Sequence, residues 1–207
     1  MAAIATHPNL PSAESTGVPI ELIWRLSVEQ YHAMIQAGIL TEDDPVELLE
    51  GWLVTKMPKN PRHSAVTQLM QAALTRALPS GWHVRGQEPV TTEDSEPEPD
   101  IVVARGDLRQ YLDRHPGPQD VALVVEVADS SLQRDRMLKK RLYAAAGIPA
   151  YWVANLPELH IEAYSDPSGP GEQPTYRHEQ DYGISDAIPV ILDGVEVVRV
   201  AVRELLL

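Results

Sequence analysis

Apolar and polar positions in the first part of the chain have the periods of two helices and a hairpin. Residues 25–40 have helical spacing, with Ser27 as the N-cap and Gln30 three residues later, as in a capping box. In residues 46–57 a Glu-Gly turn signal separates two apolar runs, which predicts a β-hairpin. Pro61 begins a second predicted helix, because apolar residues recur every three or four positions after it.

The rest of the chain contains short apolar runs that are typical of strands. "WHVRGQ", "DIVVA" and "VALVVEVA" come first, and a third helix is predicted from about Leu132 to Ala146. The strand "AYWVAN" follows, and "LHIEAYSD", "TYRHEQDY" and "IPVIL" have the pattern of an additional C-terminal β-meander. This order predicts one α/β (α+β) domain over residues 21–207, with a mixed central sheet flanked by helices. Residues 1–20 are small, proline-bearing and aperiodic, which is typical of a flexible arm.

Composition changes this picture mainly through charge. The 207 residues carry a net charge of −13 and contain no cysteine. No apolar run reaches the roughly 20 residues that a membrane helix needs, and no secretion signal is recognisable, so we expect a cytoplasmic protein without a membrane partner. An acidic chain repels nucleic acid overall, and DNA binding would therefore need a local basic patch or metal ions.

A carboxylate inside the most apolar strand is the first candidate for chemistry. Glu126 stands within "VALVVEVA", where burial without a partner is costly. Asp100 begins the neighbouring strand, Glu47 lies in the hairpin and Lys139 lies in the helix that follows Glu126. Carboxylates on neighbouring strands form an oxygen-rich site suited to Mg²⁺ or Mn²⁺. A nearby lysine can polarise a water and stabilise charge on a phosphate, which together predicts metal-assisted phosphodiester hydrolysis.

Each of these side chains also has an ordinary structural explanation. Asp100 can cap a turn, and Glu126 can pair with a buried arginine. Asp135 and Lys139, four residues apart, fit an ion pair on the surface of a helix. Glu47 lies beside a turn, where acidic side chains are commonly solvated.

Several motifs together resemble a known group of proteins. "EPEPDIVVA" and "LVVEVADSSLQRDRMLKKRLYAAAGIPAYWV" resemble the PD-(D/E)xK nuclease superfamily, and within it the Uma-type family of restriction-endonuclease-like proteins. "VELLEGWLV", "PRHSAV" and "GQEPV" resemble the hairpin, the helix start and the strand of the same family. The resemblance covers about residues 25–165 and implies a restriction-endonuclease-like fold.

The resemblance also implies roles for individual residues. Asp100 and Glu126 would be metal ligands, Lys139 the catalytic lysine and Glu47 a further acidic member of the site. Two supporting groups would lie near them, Gln87 and His63. The superfamily commonly has its lysine two positions after the glutamate, where this chain has Ala128, so that Lys139 in the following helix would take its place.

We therefore expect a Mg²⁺- or Mn²⁺-dependent endonuclease that hydrolyses DNA, an endodeoxyribonuclease with metal-bound water as the nucleophile. The alternatives are a nuclease-fold binding or regulatory module without catalysis, and a hydrolase of another phosphodiester. Candidate DNA contacts come from the basic run "RDRMLKKR", whose other explanation is a solvated helix face: Arg134, Arg136, Lys140 and Arg141. We expect weak, metal-dependent DNA binding and a possible homodimer, because cutting both strands requires two sites.

Overall fold

The computed structural model describes residues 22–41 and 43–207, so the predicted N-terminal arm lies outside the described residues. In chain order the elements are α1 (Val28–Gln36), β1 (Val46–Leu49), β2 (Trp52–Thr55), α2 (Pro61–Ala77), β3 (Trp82–Gly86), β4 (Ile101–Arg105), β5 (Val121–Ala128), α3 (Leu132–Arg134), α4 (Lys140–Ala145), β6 (Ala150–Asn155), β7 (His160–Pro167), β8 (Tyr176–Gly183), β9 (Ala187–Leu192), β10 (Val195–Ala201) and α5 (Val202–Leu206). A π-helical turn, Asp135–Lys139, joins α3 to α4. None of the helices in these two ranges has the length and apolarity needed to cross a bilayer.

Local sequence signals explain how the first elements begin and turn. The capping box of α1 is formed, since the Ser27 hydroxyl accepts from the Gln30 amide at 3.2 Å and the Gln30 side chain accepts from the Ser27 amide at 3.0 Å. Asn60 caps α2, and Pro61 occupies its first turn. The hairpin between β1 and β2 turns at Gly51, whose φ of +79° favours glycine.

A six-stranded mixed sheet in the order β3-β4-β5-β6-β7-β8 forms the centre of the molecule. Only the β5–β6 pair is parallel, and the helical segment from α3 to α4 makes the crossover between these two strands. The predicted mixed sheet flanked by helices is confirmed. Two of the three predicted C-terminal strands, β7 and β8, extend this sheet, whereas β9 pairs with β10 in a separate hairpin. The sequence pattern had indicated neither β10 nor α5.

The two faces of the central sheet are covered by different elements. Alternate residues such as Ile101, Val103 and Val125 pack in one apolar cluster with side chains of α2, α5 and the β9–β10 hairpin. The residues between them, such as Val102 and Val124, pack in a second cluster with side chains of α4. Every residue of β5 is buried, as its apolar sequence predicted. By this alternation the Glu126 side chain belongs to the face covered by α3 and α4.

Candidate active site

The two predicted metal ligands lie on the adjacent antiparallel strands β4 and β5: Asp100 immediately precedes β4, and Glu126 lies near the C-terminal end of β5. Ile101 pairs with Val125, and Asp100 and Glu126 each stand one residue beyond this pair. The Asp100 Oδ2 atom accepts a hydrogen bond from the Val127 amide at 2.9 Å, which fixes the carboxylate against β5. Asp100 is therefore held across the strands rather than used as the cap of a local turn.

Glu126 is almost entirely buried, with 6% of its surface exposed. Its Oε1 atom accepts a hydrogen bond from the Tyr143 hydroxyl at 2.7 Å and lies 3.3 Å from the Lys139 ammonium. Burial raises the pKa of Glu126 to about 8, with further increases from neighbouring carboxylates, while the Lys139 charge acts in the opposite direction. The partners of Glu126 are thus a lysine and a tyrosine, not a buried arginine.

Lys139 links the helical segment to the N-terminal hairpin inside the protein. Its Nζ atom donates to Glu47 Oε2 at 2.8 Å, and its side chain is 2% exposed. Burial alone would lower the pKa of Lys139, but the carboxylates of Glu126 and Glu47 outweigh it and raise this pKa, so the ammonium stays charged. A surface ion pair with Asp135 is excluded, because Asp135 is also buried and accepts from the Ser131 hydroxyl at 2.6 Å.

The π-helical turn explains how Lys139 reaches the site from the helix. A π turn inserts one extra residue into the helical ladder and changes the direction of the side chains that follow. Here the turn spans Asp135–Lys139, and both of its end residues are buried. The Tyr151 hydroxyl donates to the Asp135 carbonyl at 3.1 Å, which satisfies a backbone group inside the turn. Helical periodicity did not indicate this turn, because π turns have no simple sequence signal.

Glu47 is oriented by the segment that leads into β4. Its Oε2 atom accepts from the Glu98 amide at 3.0 Å in addition to the Lys139 ammonium. The Glu98 carboxylate in turn accepts from Lys56 at 2.6 Å. Glu98 and Lys56 both line the pocket that contains Glu47, Asp100, Glu126 and Lys139, which we call the central pocket. The sequence reading missed both residues, although Glu98 lies within the quoted motif "EPEPD".

The two predicted supporting residues have different positions. His63, near the start of α2, places its Nε2 atom 3.0 Å from Asp100 Oδ2 and lines the central pocket. Its Nδ1 atom is buried and has no hydrogen-bond partner among the described residues. Gln87 is exposed and does not line the central pocket. Only its backbone amide contacts a candidate ligand residue, by donating to the Asp100 carbonyl at 3.1 Å.

Most of the predicted basic patch on the helix is paired with acidic residues. Arg136 makes a bidentate contact with the buried Glu162, and its Nη2 atom lies 2.6 Å from Glu162 Oε1. Lys140 donates to Glu179, and Arg141 makes a bidentate contact with Glu50.

Arg134 differs from these three residues in its surroundings. It lines the central pocket, and its closest carboxylate is that of Asp135 at 4.0 Å. Of the four basic residues predicted as DNA contacts, the structure therefore brings one to the candidate site.

The donor atoms of the central pocket fit a hard divalent cation. Asp100 Oδ1 and Glu126 Oε2 accept no hydrogen bond from the described residues, so each ligand keeps a free oxygen. Mg²⁺ binds through one or two carboxylates and keeps several waters or substrate oxygens. The part of the chain that the structure describes contains no ready group of three or more His, Asp or Glu residues that could hold a metal. The two free carboxylate oxygens are the atoms through which Asp100 and Glu126 would contact such an ion.

The mixed six-stranded sheet with a helical crossover between β5 and β6 agrees with the restriction-endonuclease-like fold that the sequence motifs implied. A family model described as "Uma2: Putative restriction endonuclease" matches residues 28–195. The chain therefore belongs to the Uma2 family, as the sequence motifs predicted.

A solved structure supports the fold independently. It is the crystal structure of "a putative nuclease belonging to DUF820" from Anabaena variabilis, with a TM-score of 0.61 and 13% sequence identity. The match covers 87% of this chain and 97% of the other. At this identity the likeness concerns the fold. No match was found among curated proteins.

Proposed function

We propose that the protein is a metal-dependent nuclease that hydrolyses DNA phosphodiester bonds, and that it acts as an endonuclease. The observation that carries this proposal is the contact of the Lys139 ammonium with Glu47 and Glu126, beside Asp100. Two carboxylates with free oxygens and a charged lysine are the groups that metal-assisted phosphodiester hydrolysis requires. The family description supports the reaction class.

Asp100 and Glu126 would hold Mg²⁺ or Mn²⁺ in this proposal. The ion would supply Lewis acidity towards a water molecule and neutralise charge on the phosphate. His63 would orient Asp100, and Tyr143 would orient Glu126, through the hydrogen bonds described above.

The Lys139 ammonium has a fixed position in the central pocket, because Glu47 holds it by a hydrogen bond. From this position it would donate to the attacking water or to the scissile phosphate, where negative charge develops. Glu47 would act through Lys139, and Gln87 would act through the backbone that carries Asp100.

Plasmid cleavage with Mg²⁺ or Mn²⁺ tests the proposal. Asp100→Asn, Glu126→Gln and Lys139→Met should each abolish cleavage. Asp113→Asn is a matched control, because Asp113 is exposed and lies outside the central pocket. It should cut as the parent does. Equal cleavage by all four variants, each shown to be folded by circular dichroism, would refute the assignment.

A hydrolase of another, smaller phosphodiester is the second candidate function. The net charge of −13 and the acidic partners of Arg136, Lys140 and Arg141 favour it, because both reduce attraction to a polyanion. Cleavage rates for DNA, RNA and a small chromogenic phosphodiester separate the two functions. A preference for the small substrate by several orders of magnitude would replace the first proposal with the second.

DNA binding should depend on the divalent cation, because the central pocket has more acidic than basic side chains and therefore repels phosphate when no metal is bound. A gel shift with Mn²⁺ and with EDTA measures this dependence. Equal, tight binding in EDTA would contradict it. A nuclease-fold module without catalysis need not keep a metal site. Calorimetry with Mn²⁺ tests this, and a parent that binds no Mn²⁺ would favour the module. We also propose a homodimer, and sedimentation velocity measures the oligomeric state.

A further inference from the structure

The wall of the central pocket is acidic, and only two of its four lysine and arginine side chains are hydrogen-bonded to acids in the part of the chain that the structure describes. It contains the carboxylates of Glu47, Glu98, Asp100, Glu126, Asp129 and Asp135 and the basic side chains of Lys56, Lys59, Arg134 and Lys139. Lys56 is hydrogen-bonded to Glu98, and Lys139 to Glu47. These two cations are neutralised within the protein. Lys59 and Arg134 make no hydrogen bond to a carboxylate among the described residues.

Lys59 lies in the connection between β2 and α2, at the mouth of the central pocket. Its Nζ atom is 3.9 Å from Asp100 Oδ1, beyond hydrogen-bond distance, and 42% of its side chain is exposed. The ammonium is close enough to the candidate metal ligand to reach a phosphate bound there. It is also free to turn towards solvent, because none of the described residues accepts a hydrogen bond from it.

Arg134 approaches the pocket from α3 and has an unsatisfied donor. Its Nε atom is buried and has no hydrogen-bond partner among the described residues. Its Nη1 atom donates to the Thr55 carbonyl at 3.4 Å, close to the limit for a hydrogen bond. A buried N–H group without an acceptor is unfavourable, and a guanidinium binds phosphate oxygens in a bidentate manner. The Arg134 side chain therefore lacks an acceptor that a phosphate would provide.

We propose that Lys59 and Arg134 bind backbone phosphates next to the scissile one, and that they are the principal cationic contacts to those neighbouring phosphates. The inference rests on the proposed nuclease function and limits the phosphate contacts outside the reacting centre to about two. The other basic residues of the helical segment, Arg136, Lys140 and Arg141, are held by acids. Two cationic contacts release few counterions, so binding should be weak and only shallowly dependent on salt, as the net charge of −13 also predicts.

The salt dependence of binding tests these two contacts. Fluorescence anisotropy of a short fluorescein-labelled DNA strand is measured over a range of KCl concentrations, with Ca²⁺ in place of Mg²⁺ or Mn²⁺ so that the parent binds without cutting. A denaturing gel checks that the strand stays intact. The parent should give a log–log slope of about −1.4 for two phosphates of a single strand. Lys59→Met and Arg134→Met should each weaken binding about threefold to tenfold. Each should also make the log–log slope shallower by about 0.7, the value for one phosphate of a single strand.

Arg109→Met is the matched control, because Arg109 is 86% exposed and lies outside the central pocket. It should bind as the parent does. A Lys59→Met/Arg134→Met double variant that keeps the parental affinity and slope would overturn the inference. So would a parental slope of about −4 or steeper, which indicates a large basic surface elsewhere, or the absence of any DNA binding.

Cleavage is scored separately from binding. Binding with the expected slopes but without cleavage by the parent would refute the nuclease activity and retain the phosphate contacts. Cleavage that is lost in Glu126→Gln, together with unchanged binding by the double variant, would retain the nuclease and refute the contacts.

Discussion

The ammonium of Lys139 lies 3.3 Å from Glu126 Oε1, and both side chains are buried at the centre of the molecule. A third charge, the carboxylate of Glu47, accepts from the same ammonium. The three side chains are stable only together, because the ammonium offsets the cost of burying the two acids and the acids offset the cost of burying the ammonium. The arrangement thus ties stability and the candidate chemistry to the same side chains.

Replacement of Lys139 should destabilise the fold strongly, since it leaves the buried Glu47 carboxylate without its cation and removes the charge that partly offsets the burial of Glu126. We expect Lys139→Met to lower the free energy of unfolding by about 3–5 kcal/mol. The additional change Glu47→Gln should recover part of this loss. Urea denaturation measures both effects. Lys140→Met is the comparison, because the Lys140 pair with the exposed Glu179 is worth less than about 1 kcal/mol. Equal losses in the Lys139 and Lys140 variants would contradict the buried arrangement.

Removal of the Tyr143 hydroxyl should have a smaller effect than changes to the carboxylate that it contacts. Tyr143→Phe deletes the 2.7 Å hydrogen bond to Glu126 and should lower the free energy of unfolding by about 1–2 kcal/mol. The Tyr143→Phe variant should lose less cleavage activity than the Glu126→Gln variant, because Tyr143 would orient the metal ligand and would not itself coordinate the metal. Plasmid cleavage and thermal denaturation measure the two effects. Loss of all cleavage in a stable Tyr143→Phe protein would assign Tyr143 a direct role.

The contact of His63 with Asp100 should tune metal affinity. His63→Gln removes the imidazole that lies 3.0 Å from Asp100 Oδ2, and partners of metal ligands commonly contribute about 10–100-fold to affinity. Isothermal calorimetry with Mn²⁺ measures the change. His178→Gln is the matched control, because the His178 side chain is 74% exposed, and it should leave the affinity unchanged. If the His63→Gln variant kept the parental Mn²⁺ affinity, His63 would have a structural role at the start of α2 and no role in metal binding.

A second buried carboxylate gives a prediction about pH. Burial acts to raise the pKa of Glu162, but hydrogen bonds from Arg136, Tyr164 and Asn155 outweigh it and lower this pKa. Because the folded pKa lies below the unfolded one, Glu162 stabilises the fold above about pH 4.5, and this contribution is lost as the pH falls further. Glu162→Gln should therefore destabilise the protein at pH 7, and the difference from the parent should shrink towards about pH 2. Urea denaturation at several pH values measures it, and a difference that stays constant with pH would contradict the account.

Much of the fold could be predicted because the sequence signals were local or periodic. The capping box at Ser27, the turn at Gly51 and the apolar run around Glu126 depend on near neighbours, and each has a simple pattern. The pairing of β7 and β8 with the central sheet could not be predicted, because alternation identifies a strand but not its partner.

The candidate site was predictable in its residue types and less so in its geometry. Motif order indicated Asp100, Glu126 and Lys139, but not that Lys139 would be buried between two carboxylates. The acidic partners of Arg136 and Arg141 come from distant parts of the chain, so a count of charges in the helix overestimated its basic surface. Lys59 was missed because a single lysine in a loop has no pattern; its importance comes only from its distance to Asp100.

A crystal soaked in Mn²⁺, with anomalous differences recorded at the manganese edge, tests the central claim most directly. The account predicts one strong peak in the central pocket, within coordination distance of both Asp100 and Glu126, with the Lys139 ammonium directed towards the same space. The peak should disappear in Glu126→Gln crystals. A pocket without manganese in the parent, or an ion held by other residues while Asp100 and Glu126 keep their present contacts, would contradict it.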